Sequence, residues 1–165
     1  MNQTKRILIA LVILISMAGL IFVIEALRGN SAAQAIDTAL EPGNIPIYQD
    51  GYLLAVIKPG DLETMSLATF VDAEEGKTQD GWLLRDILKK HISASTLDNN
   101  SWIIVSSSSR NKQVQLTWKE VNDPANMVMF DLSGRGTLKL VSLLEQLDIR
   151  DEWIQDVDKI ELVEP

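Results

Sequence analysis

The sequence has no cysteine and a single histidine, His91. Without thiols there can be no disulfide framework, zinc–thiolate site, iron–sulfur cluster, thiol nucleophile or lipoprotein acylation. One imidazole cannot build a multi-histidine metal site. No serine stands in a G-x-S-x-G elbow, so hydrolase chemistry of that kind has no support. Basic residues are also scarce. Setting aside Lys5, Arg6, Arg28 and Glu25 from the 15 basic and 23 acidic residues leaves 12 and 22 from Gly29 onward, a balance of −10. A domain of that charge repels phosphate backbones and anionic headgroups, which argues against a nucleic-acid partner.

One long apolar run is present. Ile7–Ile24 reads ILIALVILISMAGLIFVI, with Ser16 its only polar residue. A helix hides such a hydroxyl on its own backbone. At 1.5 Å per residue the run spans roughly 27 Å, close to the hydrocarbon thickness of a bilayer. Ala26 and Leu27 continue it past Glu25. Lys5 and Arg6 precede it, so the positive-inside rule places residues 1–6 in the cytoplasm and the chain beyond the anchor, residues 7–27, across the membrane. The expected location is the cell membrane, single-pass, with an extracytoplasmic C-terminal domain. A cleaved signal peptide is the alternative, with cleavage after Ala35 in the Ala33-Gln34-Ala35 pattern. Both readings export the domain.

Residues 28–46 read as a linker or stalk, rich in small and polar residues, with Ala32–Leu40 as a short helical candidate. Residues 47–165 then alternate short strand and helix signals. Ile45–Tyr48 and Tyr52–Ile57 flank Asp50-Gly51, a hairpin turn in which both residues need positive φ. Leu67–Val71 is a strand candidate. Trp82–His91 has Leu83, Leu84, Ile87 and Leu88 on one face and charges on the other, which predicts a helix entered through a turn at Asp80-Gly81. Trp102–Val105 and Val114–Leu116 are strands, joined by a polar connection over 106–112. Thr117-Trp118-Lys119-Glu120 and Ser142-Leu143-Leu144-Glu145 both fit the capping box. Met127–Phe130 and Thr137–Val141 are strands around Gly134-Arg135-Gly136, Asp151–Val157 suggests a short amphipathic turn, and Lys159–Val163 closes the chain as a strand. The class expected is α+β with mostly antiparallel strands.

The order of these segments resembles a known family. Gly81-Trp82-Leu83-Leu84-Arg85-Asp86-Ile87-Leu88 resembles the G-x-x-L-R-D-L-L helix of sulfite-oxidase-like, molybdopterin-dependent oxidoreductase domains. Asp61-Leu62-Glu63 with Ala68–Val71, then Val114–Thr117 with Glu120, then Gly136–Val141, then Trp153–Leu162 resemble that family's other segments in order. The resemblance covers Tyr52–Glu164. It implies a sulfite-oxidase-like, molybdopterin-binding fold. It also shows where the sequence departs. The family's metal-ligand cysteine sits on an insertion that is here the nine residues Asp72–Asp80, without a cysteine. Ser-Ser-Ser-Arg-Asn occupies the place of its D-G-Y hairpin, and Thr137 and Lys139 replace a proline and an arginine. A scaffold without its redox centre follows, since a fold does not carry a function by itself.

The remaining candidates have plain structural readings. His91 at a helix end suits a surface position beside the dipole's negative end. Ser106–Arg110 with Lys112 suits a solvated hairpin tip, and Gly134-Arg135-Gly136 a tight strand connection. Asp148, Asp151, Glu152, Asp156 and Asp158 do not follow EF-hand spacing and suit a solvated acidic face. Trp82, Trp102, Trp118 and Trp153 suit the core.

Two functions follow. The first is a non-catalytic binding or interaction module, presented outside the cytoplasm, without a resident cofactor or metal, whose partner is a membrane-complex protein or a small ligand. The second is an oxidoreductase component holding a pterin cofactor without a cysteine ligand, with Arg85, Arg110, Lys112, Arg135 and Lys139 as the cofactor-binding charges for its pyrophosphate. Mass analysis of the mature protein is expected to show the intact N-terminal peptide; a mature start at Ile36 would replace the anchor by a cleaved leader.

Overall fold

The strands sort into two sheets that share one apolar core with a helix. In the computed structural model the described residues are 41–132, 134 and 136–164, all within one compact unit, Thr38–Pro165. The anchor 7–27, Lys5, Arg6, the Ala33–Ala35 site, Ala32–Leu40 and Arg135 lie outside them. Among the described residues no helix is long and apolar enough to cross a membrane.

The elements are β1 (Ile45–Gln49), β2 (Tyr52–Ile57), α1 (Pro59–Glu63), β3 (Ala68–Val71), β4 (Thr78–Leu83), α2 (Leu84–His91), β5 (Trp102–Ser107), β6 (Lys112–Thr117), α3 (Trp118–Asn122), β7 (Met129–Leu132), β8 (Leu138–Val141) and β9 (Lys159–Val163), with short 3-10 turns at Ala94–Thr96, Pro124–Asn126 and Glu145–Leu147. The first sheet runs β2-β1-β9-β5-β6 and the second β3-β4-β7-β8. Every pairing is antiparallel except β1 with β9. The class is α+β, as expected from the segment pattern.

Local chemistry explains the connections. Asp50 and Gly51 take φ of 51° and 79°, the two positive values a type I′ hairpin needs. Pro59 opens α1, where its missing N–H costs nothing, and the Asp61 carboxylate accepts the Lys58 N–H at 3.0 Å. The Thr117 box forms: its hydroxyl accepts the Glu120 N–H at 3.2 Å, and Glu120 accepts the Thr117 N–H at 2.7 Å.

One core holds the two sheets together. Ile47, Ile57, Ile103, Val105, Leu116, Ile160 and Leu162 from the first sheet meet Phe130 and Leu140 from the second, with Leu84, Ile87 and Leu88 of α2 packed in the same cluster. Burial alternates along β9, one face inward and one outward, as in a sheet covered on one side. In β7 it does not: Met129, Phe130 and Asp131 are all buried. Phe130 points to the main core, while Met129 packs in a second cluster with Phe70, Val141 and Trp153. The central part of the second sheet is therefore covered on both faces.

Several boundaries differ from those expected. The helix begins at Leu84, not Trp82, and Asp80-Gly81 lies inside β4 rather than in a turn. The reason is a close backbone approach, one of the usual reasons for glycine within a strand. A Cβ on Gly81 would lie 2.8 Å from the Phe130 carbonyl carbon and 3.1 Å from Asp131 Cα, and closer still to the Phe130 oxygen. Ser106 and Ser107 belong to β5, paired with Gln113 and Lys112, so the connection shrinks to Ser108–Asn111. Strand β7 starts at Met129, after Met127 in the left-handed region at φ 47°. Ser142 forms no capping box: its hydroxyl donates to the Asn126 carbonyl at 2.7 Å and accepts the Leu144 N–H at 3.0 Å. The segment 151–157 is not helical but bridges Leu140 through Ile154. Ile45 is 2% exposed in β1, so the folded domain starts before residue 47.

Gly81→Ala is expected to cost at least ~3 kcal/mol, the upper end of overpacking penalties, because the clash is with backbone that a side-chain rotation cannot relieve. Chemical denaturation checks it; a loss near zero would mean β4 and β7 do not approach as described.

Candidate functional site

The ends of both sheets enclose a cleft of about 450 Å³. Its apolar lining comes from Ile45 of β1, Ile57 of β2, Leu62 of α1, Trp82 of β4, Leu138 of β8 and Val157. Ile45, Ile57, Leu62 and Val157 are buried, Trp82 and Leu138 half-buried, and Leu132 is 56% exposed. This volume is in the range of small-molecule sites, which are mostly apolar with a few placed polar groups.

The polar groups come from two sides. Lys58 precedes α1 and Glu63 is its last residue. Ser109, Thr137, Asp156 and Asp158 line the same cleft. Asp156 has φ of 55°, a conformation Asp tolerates better than most residues. Its carboxylate accepts the Arg110 Nε–H at 2.6 Å and the Thr137 hydroxyl at 2.6 Å. Asp158 is held by its own N–H to the Ser106 carbonyl at 3.0 Å. Its Oδ2 accepts the Ser108 N–H at 2.8 Å, while Oδ1 is buried with no hydrogen-bond partner. These two acids therefore do not form part of a solvated acidic face. They pin the serine-rich hairpin and the 156–158 segment to one another.

The residues assigned to a pterin pyrophosphate are only partly brought together. Arg110 and Lys112 line a shallow groove of about 240 Å³ with Arg150, Asp151, Trp153 and Gln155. Lys139 stands 4.7 Å from the Trp153 ring centre. Arg85 is not in that groove; it sits on α2 with Nε 3.3 Å from Asp86. Arg135 lies outside the described residues. Three of the four described cations, Arg110, Lys112 and Lys139, have acceptors of the protein's own, while the Arg85 Nε is buried without a hydrogen-bond partner. Arg110 pairs with Asp156, and the Lys112 Nζ donates to the Asp151 carbonyl. Lys139 donates to Asp131 and to the Gln79 amide oxygen, each at 2.9 Å. Asp131 and Gln79 are themselves buried, so Lys139 completes an internal network in which Gln79 donates to Asp72 at 2.8 Å. The Glu75 N–H, at 2.7 Å, is the main reason the Asp72 carboxyl lies below the usual carboxylate range. Withdrawing these cations to hold a pyrophosphate would leave Asp131 buried without its counter-charge. The arrangement does not fit that cofactor. A second polar hollow, of about 420 Å³, is lined by Ser106–Ser108, Asn111, Lys112, Gln113 and Lys159.

His91 is not a surface residue. Its side chain is 13% exposed, with Nε2 buried, unbonded and 3.7 Å from Asp61. Desolvation lowers its pKa, outweighing the attraction of Asp61; the Lys90 charge lowers it further. Of the tryptophans, Trp118 and Trp153 are 5% exposed, and the Trp153 Nε1–H donates to the Leu147 carbonyl at 3.0 Å. Trp82 instead lines the cleft, and Trp102 is 36% exposed. Nothing in the spacing of Ile45, Ile57, Leu62, Trp82, Leu138 and Val157 marks them as one site. The turn signal after β2 and the acids before β9 were visible, but not their meeting.

Compared with known proteins, the chain matches no family model and no curated protein.

A lowered histidine pKa means that the unfolded chain takes up the proton more readily than the folded one. Its stabilising contribution is full above about pH 6.5, the unfolded value. It is lost as pH falls toward the folded value. His91→Gln is expected to flatten that part of the stability–pH curve. Thermal melts between about pH 5 and 7.5, around the reference histidine value, test this; an unchanged slope would place the titration elsewhere.

Proposed function

We propose that the protein is a membrane-anchored binding module on a sulfite-oxidase-like fold, held outside the cytoplasm by Ile7–Leu27, and that it binds a small ligand rather than catalysing a reaction. The observation that carries the reading is the apolar cleft between the two sheets. The fold assignment is supported by the order of the resembling segments. Ala68–Val71 is β3, Leu84–His91 is α2, and the Val114, Leu138 and Ile160 segments are β6, β8 and β9. The absence of any thiol, with Arg110, Lys112 and Lys139 bonded to the protein's own acceptors, favours the non-catalytic reading over a pterin-dependent oxidoreductase. An anchored domain of this kind would present its ligand to, or withdraw it from, a protein partner in the same membrane.

The test uses full-length protein in lipid nanodiscs, labelled with fluorotryptophan, with the Trp82 resonance assigned through Trp82→Phe. Phenylbutanol, a neutral apolar probe, is expected to shift that resonance saturably. Leu138→Arg, which places a charge in the apolar lining, is expected to abolish the shift while the other tryptophan resonances stay in place. Elemental analysis of the same protein, made in a host that supplies the pterin, is expected to show no stoichiometric molybdenum. Absence of a saturable Trp82 shift sinks the binding reading; stoichiometric metal with turnover of an oxyanion sinks the non-catalytic one.

A further inference from the structure

Residues directly opposite one another in an antiparallel sheet project from the same side. Ser106 of β5 lies opposite Gln113 of β6 on one flank and Lys159 of β9 on the other. Their side chains therefore stand in one row across three strands, with neighbours about 5 Å apart. Val105, the preceding residue of β5, faces the main core. Side chains alternate along a strand, so the row faces away from that core. All three residues line the polar hollow of about 420 Å³, to which Ser108 and Asn111 of the hairpin also contribute.

The polar groups here are not used up by the fold. The side chains of Ser106, Asn111 and Gln113 make no hydrogen bond among the described residues. Ser106 is 9% exposed, yet its hydroxyl is not sealed from solvent. The Lys159 Nζ donates to Glu161 at 3.2 Å, with the two side chains 42% and 32% exposed. A pair so open to water is weak. An ammonium has three donors, so two remain for a ligand. Lys112 lines the hollow too, with its ammonium donating to the Asp151 carbonyl.

No acid stands among the described lining residues. Hydroxyl, amide and ammonium groups can all donate, and none of them is confined to accepting. They suit a ligand group that only accepts, which a carboxylate or phosphate does. The hydroxyls and amides also accept, so they can meet ligand hydroxyls. The volume is that of an organic-ligand site rather than of a bare ion. The domain's overall negative charge repels anions, so an anion held here is held by these groups and not by the general field.

We propose that this hollow binds a hydroxylated organic oxyanion, whose carboxylate or phosphate group accepts from Lys159, Ser106 and Gln113 and whose hydroxyls meet Asn111 and Ser108. It shares no lining residue with the apolar cleft, so it stands or falls apart from the ligand proposed there. No covalent step is involved.

The test titrates full-length protein in lipid nanodiscs with glucuronate, glucose 6-phosphate, glucose and glucosamine, read from the side-chain amide resonances of Asn111 and Gln113. At least one of the two anions is expected to shift them saturably, about fivefold more tightly than glucose, with glucosamine weakest. Whichever anion binds more tightly identifies carboxylate or phosphate as the preferred head group. Lys159→Gln is expected to remove the preference over glucose. Glu161→Gln frees the ammonium from its neighbouring acid and is expected to increase that preference. If the Lys159–Glu161 pair served the fold alone, the two variants would act alike. Glucose or glucosamine binding as tightly as both anions overturns the proposal, as does the absence of a saturable shift with all four probes. It is also overturned if the preference survives Lys159→Gln, or if both variants move it in the same direction. The comparison of probes uses the unsubstituted protein, so it decides the matter even where a variant fails to fold.

Discussion

The parallel pairing of β1 with β9 is the constraint on which the rest of the domain depends. Strand β9 enters the middle of the first sheet, between β1 and β5, so that sheet is complete only once residues 159–163 are in place. This pairing spans most of the domain's length and closes a long loop, the kind of contact that costs most entropy to form. The buried residues Ile160 and Leu162 repay it by facing the main core. The same placement fixes the segment before β9. Asp158 hydrogen-bonds to the serine hairpin, and the Val157 N–H donates to the Leu138 carbonyl at 2.9 Å. The cleft wall is thus a by-product of how the sheet is closed.

The second sheet solves a different problem. Its strands are short, and β7 is buried on both faces, so polar residues there must be satisfied internally. Asp131, Lys139, Gln79 and Asp72 do this as one chain of hydrogen bonds and an ion pair. Lys139 also lies over the Trp153 ring, linking the network to the smaller apolar cluster. Each member has its partner in place, which is the condition for a buried polar network to be tolerated. Lys139 is thereby committed to a buried acid of the same domain.

Small elements tie the cleft to the rest of the fold. Helix α1 contributes Leu62 to both the core and the cleft. It carries Asp61, which faces His91 at the end of α2, while the Lys90 Nζ donates to the Asp61 carbonyl at 2.8 Å. The base of the cleft is therefore tied to the central helix by contacts that include one titratable imidazole.

What the sequence by itself determined is local. The Asp50-Gly51 hairpin, the Thr117 capping box, the apolar face of α2 at Leu84, Ile87 and Leu88, and the alternation in β9 follow from interactions over a few residues, and the chain displays them directly. The same holds for the apolar run 7–24, whose length and composition are properties of the sequence alone. What only the tertiary structure decided is everything that depends on distant backbone. Trp82 and Leu83 carry helical periodicity yet extend, because Gly81 must meet Phe130 across the β4–β7 pair, a clash no local pattern reveals. His91 reads as a helix-end surface residue until α1 covers it. Arg110 and Lys139 read as free charges until Asp156 arrives from the segment before β9 and Asp131 from β7. The cleft is the extreme case, since its lining is drawn from widely separated stretches of the chain and no spacing rule connects them. Burial and pairing are properties of three-dimensional neighbours, and a periodicity records only which face of its own element a residue occupies.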